Sequence, residues 1–199
     1  MQDILLMALF ALTLSISPGP VNIIALSSGL NYGITQSVRF IGGATTGFTI
    51  LLLLIGLGLQ SIAKTGGVLF HGLALAGSSL ILYFGYKLMT SDGALGKTQS
   101  KCPSFWQGFA LQWLNPKAWG ACVAAISLFN LEQSDSDLYY FVGQYCILCF
   151  IGVGSWAVFG NQVERWLDTA RKRKLFNRGL GVTLIILAGF LIVQNFAYG

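Results

Sequence analysis

Two short segments of this sequence combine residue types that can bind a charged small molecule. The first, Ser17–Asn22, reads Ser-Pro-Gly-Pro-Val-Asn, and the second, Asn115–Lys117, reads Asn-Pro-Lys. Proline removes a backbone donor and clashes with the preceding helical turn, so carbonyl groups at either segment lose their helical partners. A helix that restarts after such a break points free N–H groups and the positive end of its dipole at the gap, which favours an anion.

Lys117 adds a cation to the second break, early in the fourth predicted span, and is the one charge in the interior of a span. A lysine in hydrocarbon costs about 3 kcal/mol on insertion scales, so it needs water or a partner. All seven acidic residues lie in loops or at span ends, so an anionic ligand group would supply the partner. We also expect the carbonyls freed around Ser15 and Ile16 to accept hydrogen bonds from an ammonium group. The predicted substrate-binding residues are Ser17, Pro18, Gly19, Pro20, Asn22, Asn115, Pro116 and Lys117.

The composition indicates an integral membrane protein. Of the 199 residues, 54% are hydrophobic and 10% are charged, and the mean hydropathy is +0.68. A soluble domain would carry roughly 25% charged residues. Because the charges cluster between apolar stretches, the net charge of +5 concerns membrane topology and not nucleic-acid binding.

A window of about 20 residues, enough to cross a bilayer as a helix, predicts an all-α fold with six transmembrane spans. We expect one transmembrane domain over 1–199, with the spans at 4–27, 40–62, 68–89, 107–129, 138–160 and 179–197. The first span begins with Asp3 and lacks the basic start of a signal peptide, so we expect it to remain in the mature chain.

Lysine and arginine are distributed unevenly between the predicted loops. Ten of them fall in loops 1–2, 3–4 and 5–6, whereas the loops on the other side hold only Lys64. The positive-inside rule places the three basic loops in the cytoplasm and both termini outside. The cluster Arg171–Lys174 is therefore interpreted as a topology anchor, in preference to a lipid or nucleic-acid patch.

Six spans suggest two halves of three helices, of which the second runs inverted relative to the first. At about 1.5 Å per residue, Pro18 lies roughly 21 Å into the first span and Pro116 roughly 10 Å into the fourth. These spans enter from opposite sides, so both breaks should lie at one level, about 10 Å from the cytoplasmic face. Because they fall at different distances along their helices, we do not expect them to be symmetry mates.

The two motifs together resemble the LysE/RhtB family of bacterial amino-acid exporters. The resemblance rests on Ser17–Asn22, the glycines that open the second span, and Asn-Pro-Lys-Ala at Asn115–Ala118, in a chain of similar length and span spacing. Within the family, Gly108–Gln112 looks closest to the exporters of cysteine and O-acetylserine. The resemblance implies secondary transport of amino acids out of the cytoplasm, across the inner membrane of a bacterium.

Neutral substrates fit the residues better than lysine or arginine, because no span offers an acid for a second positive charge. We therefore expect export of small neutral amino acids or derivatives, of the cysteine/O-acetylserine or homoserine/threonine type. The partners would be the amino acid and the lipid bilayer, without nucleic acid, and no cofactor or metal is predicted. Glycine-rich helix faces would suit packing within one chain or a homo-oligomer equally well.

Two alternatives from other classes remain open at the level of sequence. An accessory membrane subunit would use the broken motifs and Lys117 to contact a partner. An intramembrane hydrolase could use Ser78 and His71, but residues seven apart on a straight helix are about 10 Å apart along its axis. Cys146 and Cys149 form a C-x-x-C without a second pair, so we interpret them as packing residues. No Walker-type motif occurs, so we do not expect ATP hydrolysis. The leading expectation is a transporter and not an enzyme.

Overall fold

The computed structural model describes residues 2–59, 67–93 and 101–197. Within these ranges, the side chains of 2–3, 59, 67–71, 73 and 194–197 lie outside the described residues. The described residues are almost entirely helical, as the composition predicts. The α-helices are α1 Gln2–Ile16, α2 Pro20–Tyr32, α3 Ile34–Leu54, α4 Gly67–Met89, α5 Phe105–Trp113, α6 Pro116–Leu128, α7 Asp135–Val163 and α8 Ala170–Ala197. A π-helical turn, Ile55–Leu59, extends α3.

Three of the described helices are long and apolar enough to cross a membrane by themselves: Ile34–Gly58, Asp135–Trp166 and Ala170–Val193. The pair α1 and α2 passes the same test as one span that is bent by 64° at its break. The predicted first and fourth spans are each divided into two helices, at Ser17–Gly19 and at Leu114–Asn115. Residues 60–62, the predicted end of the second span, lie outside the described residues.

The last helix starts earlier than the sequence indicated. The predicted sixth span begins at 179, but α8 begins at Ala170, so the basic cluster Arg171–Lys174 is helical and not a loop. Apolar windows miss such a start, although arginine and lysine are good helix formers. Arg173 is only 4% exposed, and its guanidinium pairs with the Glu164 carboxylate at 2.7 Å.

Glycines allow two parallel helix pairs to pack with their backbones close together. Gly43 and Gly47 of α3 lie against Phe105 and Phe109 of α5, so a Cβ atom at either glycine would crowd the α5 backbone. In the same way, Gly29 of α2 lies against the backbone of Ala157 in α7. Gly43-x-x-x-Gly47 is therefore a packing motif, in which small residues let two helices approach closely.

The other two major contacts join antiparallel helices. Phe48 of α3 stacks on Tyr145 of α7 with ring centroids 4.5 Å apart, and Gly56 lies against Leu138 at the opposite end of the pair. Helices α4 and α8 pack along their length through Gly85 and Gly181. Within this bundle α2 is central, because every residue from Pro20 to Leu30 is buried.

The helix ends collect at two opposite ends of the bundle. At one end, Asn31 of α2 and Asn177 of α8 exchange two side-chain hydrogen bonds of 3.1 Å, and Asn177 also donates to Ser91 after α4. At the other end, Gln144 of α7 donates to the Ile4 carbonyl of α1. The three predicted basic loops therefore share one end, apart from Lys97, which lies outside the described residues.

Replacing Gly29 with alanine should destabilise the bundle, because the new Cβ atom would overlap the Ala157 backbone. Overpacking of this kind costs about 1–3 kcal/mol. Thermal unfolding of the purified protein in detergent measures the change as a lower midpoint. Gly154→Ala is the matched control, since no atom lies near its Cβ position. Equal midpoints for the two variants would contradict the close packing of α2 on α7.

Candidate functional site

The first break joins α1 to α2 through three residues, Ser17–Gly19. Ser17 N–H still donates to the Thr13 carbonyl, so the last turn of α1 is intact, and Pro20 takes the first position of α2. Gly19 precedes it in extended backbone and offers no side chain to cap the new helix. The N-terminus of α2 therefore keeps first-turn N–H groups that no side chain caps, beside the end of α1.

The carbonyls at the end of α1 are already hydrogen-bonded, which corrects the expectation that they are free for an ammonium group. Asn22 Nδ2 donates to the Ser15 carbonyl at 2.8 Å and to the Ser17 carbonyl at 2.9 Å. Trp156 Nε1 of α7 donates to the Ile16 carbonyl at 3.0 Å. Asn22 is thus a structural clamp across the break, and Trp156 holds the remaining carbonyl from α7.

The second break repeats the form of the first. Asn115 ends the interruption, and its Oδ1 accepts the backbone N–H of Lys117 at 3.1 Å as a helix cap. Pro116 is the first residue of α6, just as Pro20 is the first residue of α2. Both of these helices have 13 residues. The breaks therefore correspond when they are counted from the restarted helices, although α1 has 15 residues and α5 has nine. Counting from the start of each span could not detect this correspondence.

Lys117 brings the two breaks together. Its Nζ donates to Ser17 Oγ at 2.5 Å and to the Pro18 carbonyl at 3.4 Å. It also lies 3.4 Å from the position that a Cβ atom would take at Gly19. Ser17 in turn donates to the Leu14 carbonyl at 3.3 Å. Residues 100 apart in sequence are therefore in direct contact at one level, as the depth estimate predicted.

Two cavities adjoin this contact. The inner cavity, of about 50 Å³, reaches from the breaks to the facing surface of α7; a single water needs about 10–15 Å³ by this measure. The outer cavity, of about 390 Å³, lies between the breaks and Leu187, Phe190 and Leu191 of α8. Each predicted site residue lines at least one of them. The residues common to both cavities are Gly19, Pro20, Asn115 and Lys117.

The electrostatics of this region favour an anion. Lys117 is in the first turn of α6 and beside the first turn of α2, so its charge adds to the positive ends of two helices. The end of α1 offsets part of this charge through the Ser17 hydroxyl and the Pro18 carbonyl. No carboxylate lines either cavity within the part of the chain that the structure describes. The arrangement can bind a carboxylate.

Comparison with known proteins agrees with these motifs. Residues 12–195 match the model of the LysE type translocator family. The chain belongs to this family. It is 34% identical to cysteine/O-acetylserine efflux proteins of Shigella flexneri and Escherichia coli K12, over 98% of this chain and 100% of each relative. The predicted family is confirmed, and the predicted amino-acid export agrees with the names of these relatives. No solved structure matches the chain.

Sequence reasoning missed the far wall of the translocator's inner cavity. The residues of this wall lie outside the two motifs and are Phe48, Gln112, Tyr145, Cys149 and Val153, with Ser15 beside the first break. The spacing of Tyr145, Cys149 and Val153 places them on one face of α7. Cys149 was interpreted as a packing residue together with Cys146, but it lines the cavity and Cys146 does not.

Of the two residues of the hydrolase alternative, the structure describes the side chain of Ser78. Ser78 of α4 is buried, and its Oγ has no hydrogen-bond partner among the described residues. The side chain of His71 lies outside the described residues. Ser78 lines neither the inner nor the outer cavity.

Replacing Asn22 with alanine should destabilise the translocator as well as change its transport. The substitution removes the Nδ2 donor that bonds the Ser15 and Ser17 carbonyls. Each buried group left unpaired lowers the free energy of unfolding by about 1–3 kcal/mol. Unfolding of the purified protein in detergent should therefore occur at a lower temperature. Asn161→Ala is the control, because Asn161 is half-buried and its side chain bonds none of the described residues. An unchanged unfolding temperature for Asn22→Ala would contradict the clamp.

Proposed function

We propose that this protein is a secondary exporter of small neutral amino acids or their derivatives, of the cysteine/O-acetylserine or homoserine/threonine type. The observation that carries the proposal is the placement of Lys117, a cation without a carboxylate partner on the cavity walls, against the first break and beside two helix N-termini. The names of the similar efflux proteins support the same substrate class.

The substrate carboxylate would bind between Lys117 and the first turn of α2. Lys117 has three donor hydrogens, and its contacts with Ser17 and Pro18 leave one for a ligand. Gly19 allows a ligand oxygen to approach the α2 backbone closely, because no side chain stands in front of the helix end. Pro18, Pro20 and Pro116 keep the two breaks open, and Asn115 fixes the turn that carries Lys117.

The ammonium group would need an acceptor other than the carbonyls of α1, which are already bonded. Gln112 of α5 is buried and lines the inner cavity, and its side-chain amide offers an oxygen. A second positive charge on the substrate would find no carboxylate on the described cavity walls. This favours neutral amino acids over lysine and arginine.

The arrangement of helices supports six membrane crossings in a single transmembrane domain, 1–199, in two inverted halves. In this proposal α1 with α2, and α5 with α6, each form one broken crossing. The parallel contacts pair α3 with α5 and α7 with α2, so each half packs on the broken crossing of the other. The antiparallel pairs, α3 with α7 and α4 with α8, join equivalent helices of the two halves, as an inverted repeat requires.

Replacing Lys117 with alanine should abolish efflux, because the carboxylate would lose its counter-charge. Efflux of radiolabelled cysteine and O-acetylserine from vesicles containing only this protein measures the effect. Lys117→Arg keeps the charge and should retain part of the activity. Lys87→Ala, which removes a lysine at the end of α4 that contacts the Lys101 carbonyl, should behave as wild type. Wild-type efflux by Lys117→Ala would exclude the proposed carboxylate site.

The positive-inside rule places the end of the bundle with the basic loops in the cytoplasm of a bacterium, and both termini outside the inner membrane. Alkaline phosphatase fused to the C-terminus should therefore be active in cells, and a green fluorescent protein fusion there should be dark. The same reporters inserted after Leu167, between α7 and α8, should give the reverse pattern. Matching patterns at the two positions would contradict this topology.

A further inference from the structure

Ser15 is a polar residue that neither the motifs nor the proposed carboxylate site use. It is 6% exposed and lines the inner cavity. Its Oγ has no hydrogen-bond partner among the described residues, although its backbone carbonyl is held by Asn22. A buried hydroxyl without a hydrogen-bond partner lowers the stability of the fold. On a cavity wall, such a group indicates that a bound ligand supplies the missing hydrogen bond.

The surroundings fix the position of this hydroxyl. Tyr145 and Cys149, both 2% exposed, face Ser15 from α7, but neither contact reaches hydrogen-bond geometry. The ring of Tyr145 is held by its stacking on Phe48. Gly152 lets α7 approach, since a Cβ atom there would come within 2.6 Å of Ser15 Cβ. Two hydroxyls and a thiol therefore meet at one side of the cavity.

We propose that Ser15, together with Tyr145 and Cys149, forms the subsite for the substrate side chain. It selects small amino acids whose side chain carries a thiol, hydroxyl or ester oxygen over apolar amino acids of the same size. This inference rests on the proposed export function and assigns its specificity to residues of α1 and α7. A hydroxyl group can donate or accept a hydrogen bond, so Ser15 can hydrogen-bond to a thiol, an alcohol or an ester carbonyl of the substrate.

The selection follows from the cost of an unpaired polar group. A substrate with a side-chain oxygen or sulfur completes the hydrogen bonding of Ser15, whereas an alkyl side chain of equal volume leaves the hydroxyl unpaired inside the bound complex. A site built to hydrogen-bond a substrate group rejects the analogue that lacks it more strongly than an apolar pocket rejects a change of size.

The test compares cysteine with 2-aminobutyrate, in which a methyl group replaces the thiol. In reconstituted vesicles the wild-type protein should export cysteine faster. In Ser15→Ala the ratio of the cysteine rate to the 2-aminobutyrate rate should fall about tenfold, the equivalent of one hydrogen bond. Tyr145→Phe, which removes a hydroxyl and keeps the stacked ring, should shift the ratio in the same direction. The matched control is Ser78→Ala, which removes a buried, unpartnered hydroxyl away from the cavity and should leave the ratio unchanged.

Each other outcome has a definite meaning. An equal fall for both substrates in Ser15→Ala would overturn the inference, because it would give Ser15 a role toward the ammonium group or the fold. An unchanged ratio in both Ser15→Ala and Tyr145→Phe would overturn it as well. Failure of the wild-type protein to export cysteine, O-acetylserine, homoserine and threonine would instead refute the proposed function, and the inference would fall with it. Protection against thermal unfolding by cysteine and by 2-aminobutyrate compares their binding affinities without transport, and Ser15→Ala should reduce the difference between them.

Discussion

A broken backbone inside an apolar bundle must find hydrogen-bond partners in protein, because lipid offers none. At the first break this requirement is met from two directions. Asn22 reaches back from α2 to two carbonyls, and Trp156 reaches across from α7 to the third. This requirement constrains the packing of the bundle. Helix α2 is buried along 20–30, and α7 must lie close enough to α1 for the Trp156 indole to donate to the Ile16 carbonyl.

The same break creates the electrostatic character of the site. Two helices restart with proline at nearly one point, so their positive ends converge, and Lys117 adds its charge there. Such a concentration of positive charge would be unfavourable if the end of α1 did not lie beside it with the Ser17 hydroxyl and the Pro18 carbonyl. The fold thus stabilises Lys117 in part and leaves it able to bind an anion.

How much could be predicted from the sequence depends on whether a signal is local. Proline, glycine and a lone cation are local signals, so the eight motif residues could be found, and the structure brings them together around two adjoining cavities. The occupation of the Ile16 carbonyl could not be predicted, because its donor, Trp156, is 140 residues away. The wall formed by Tyr145 and Cys149 resembles any apolar helix face, and only the packing of α7 on α1 reveals it.

Lys117 lies between the two cavities and lines both of them. Gly19 stands opposite its amine, with 3.4 Å between Nζ and the place of a Cβ atom, so a side chain larger than alanine at this position would displace the amine. The inner cavity ends at Ser15 and α7, whereas the outer cavity opens toward α8. Because Lys117 lines both cavities, an anion in either one would meet the same cation.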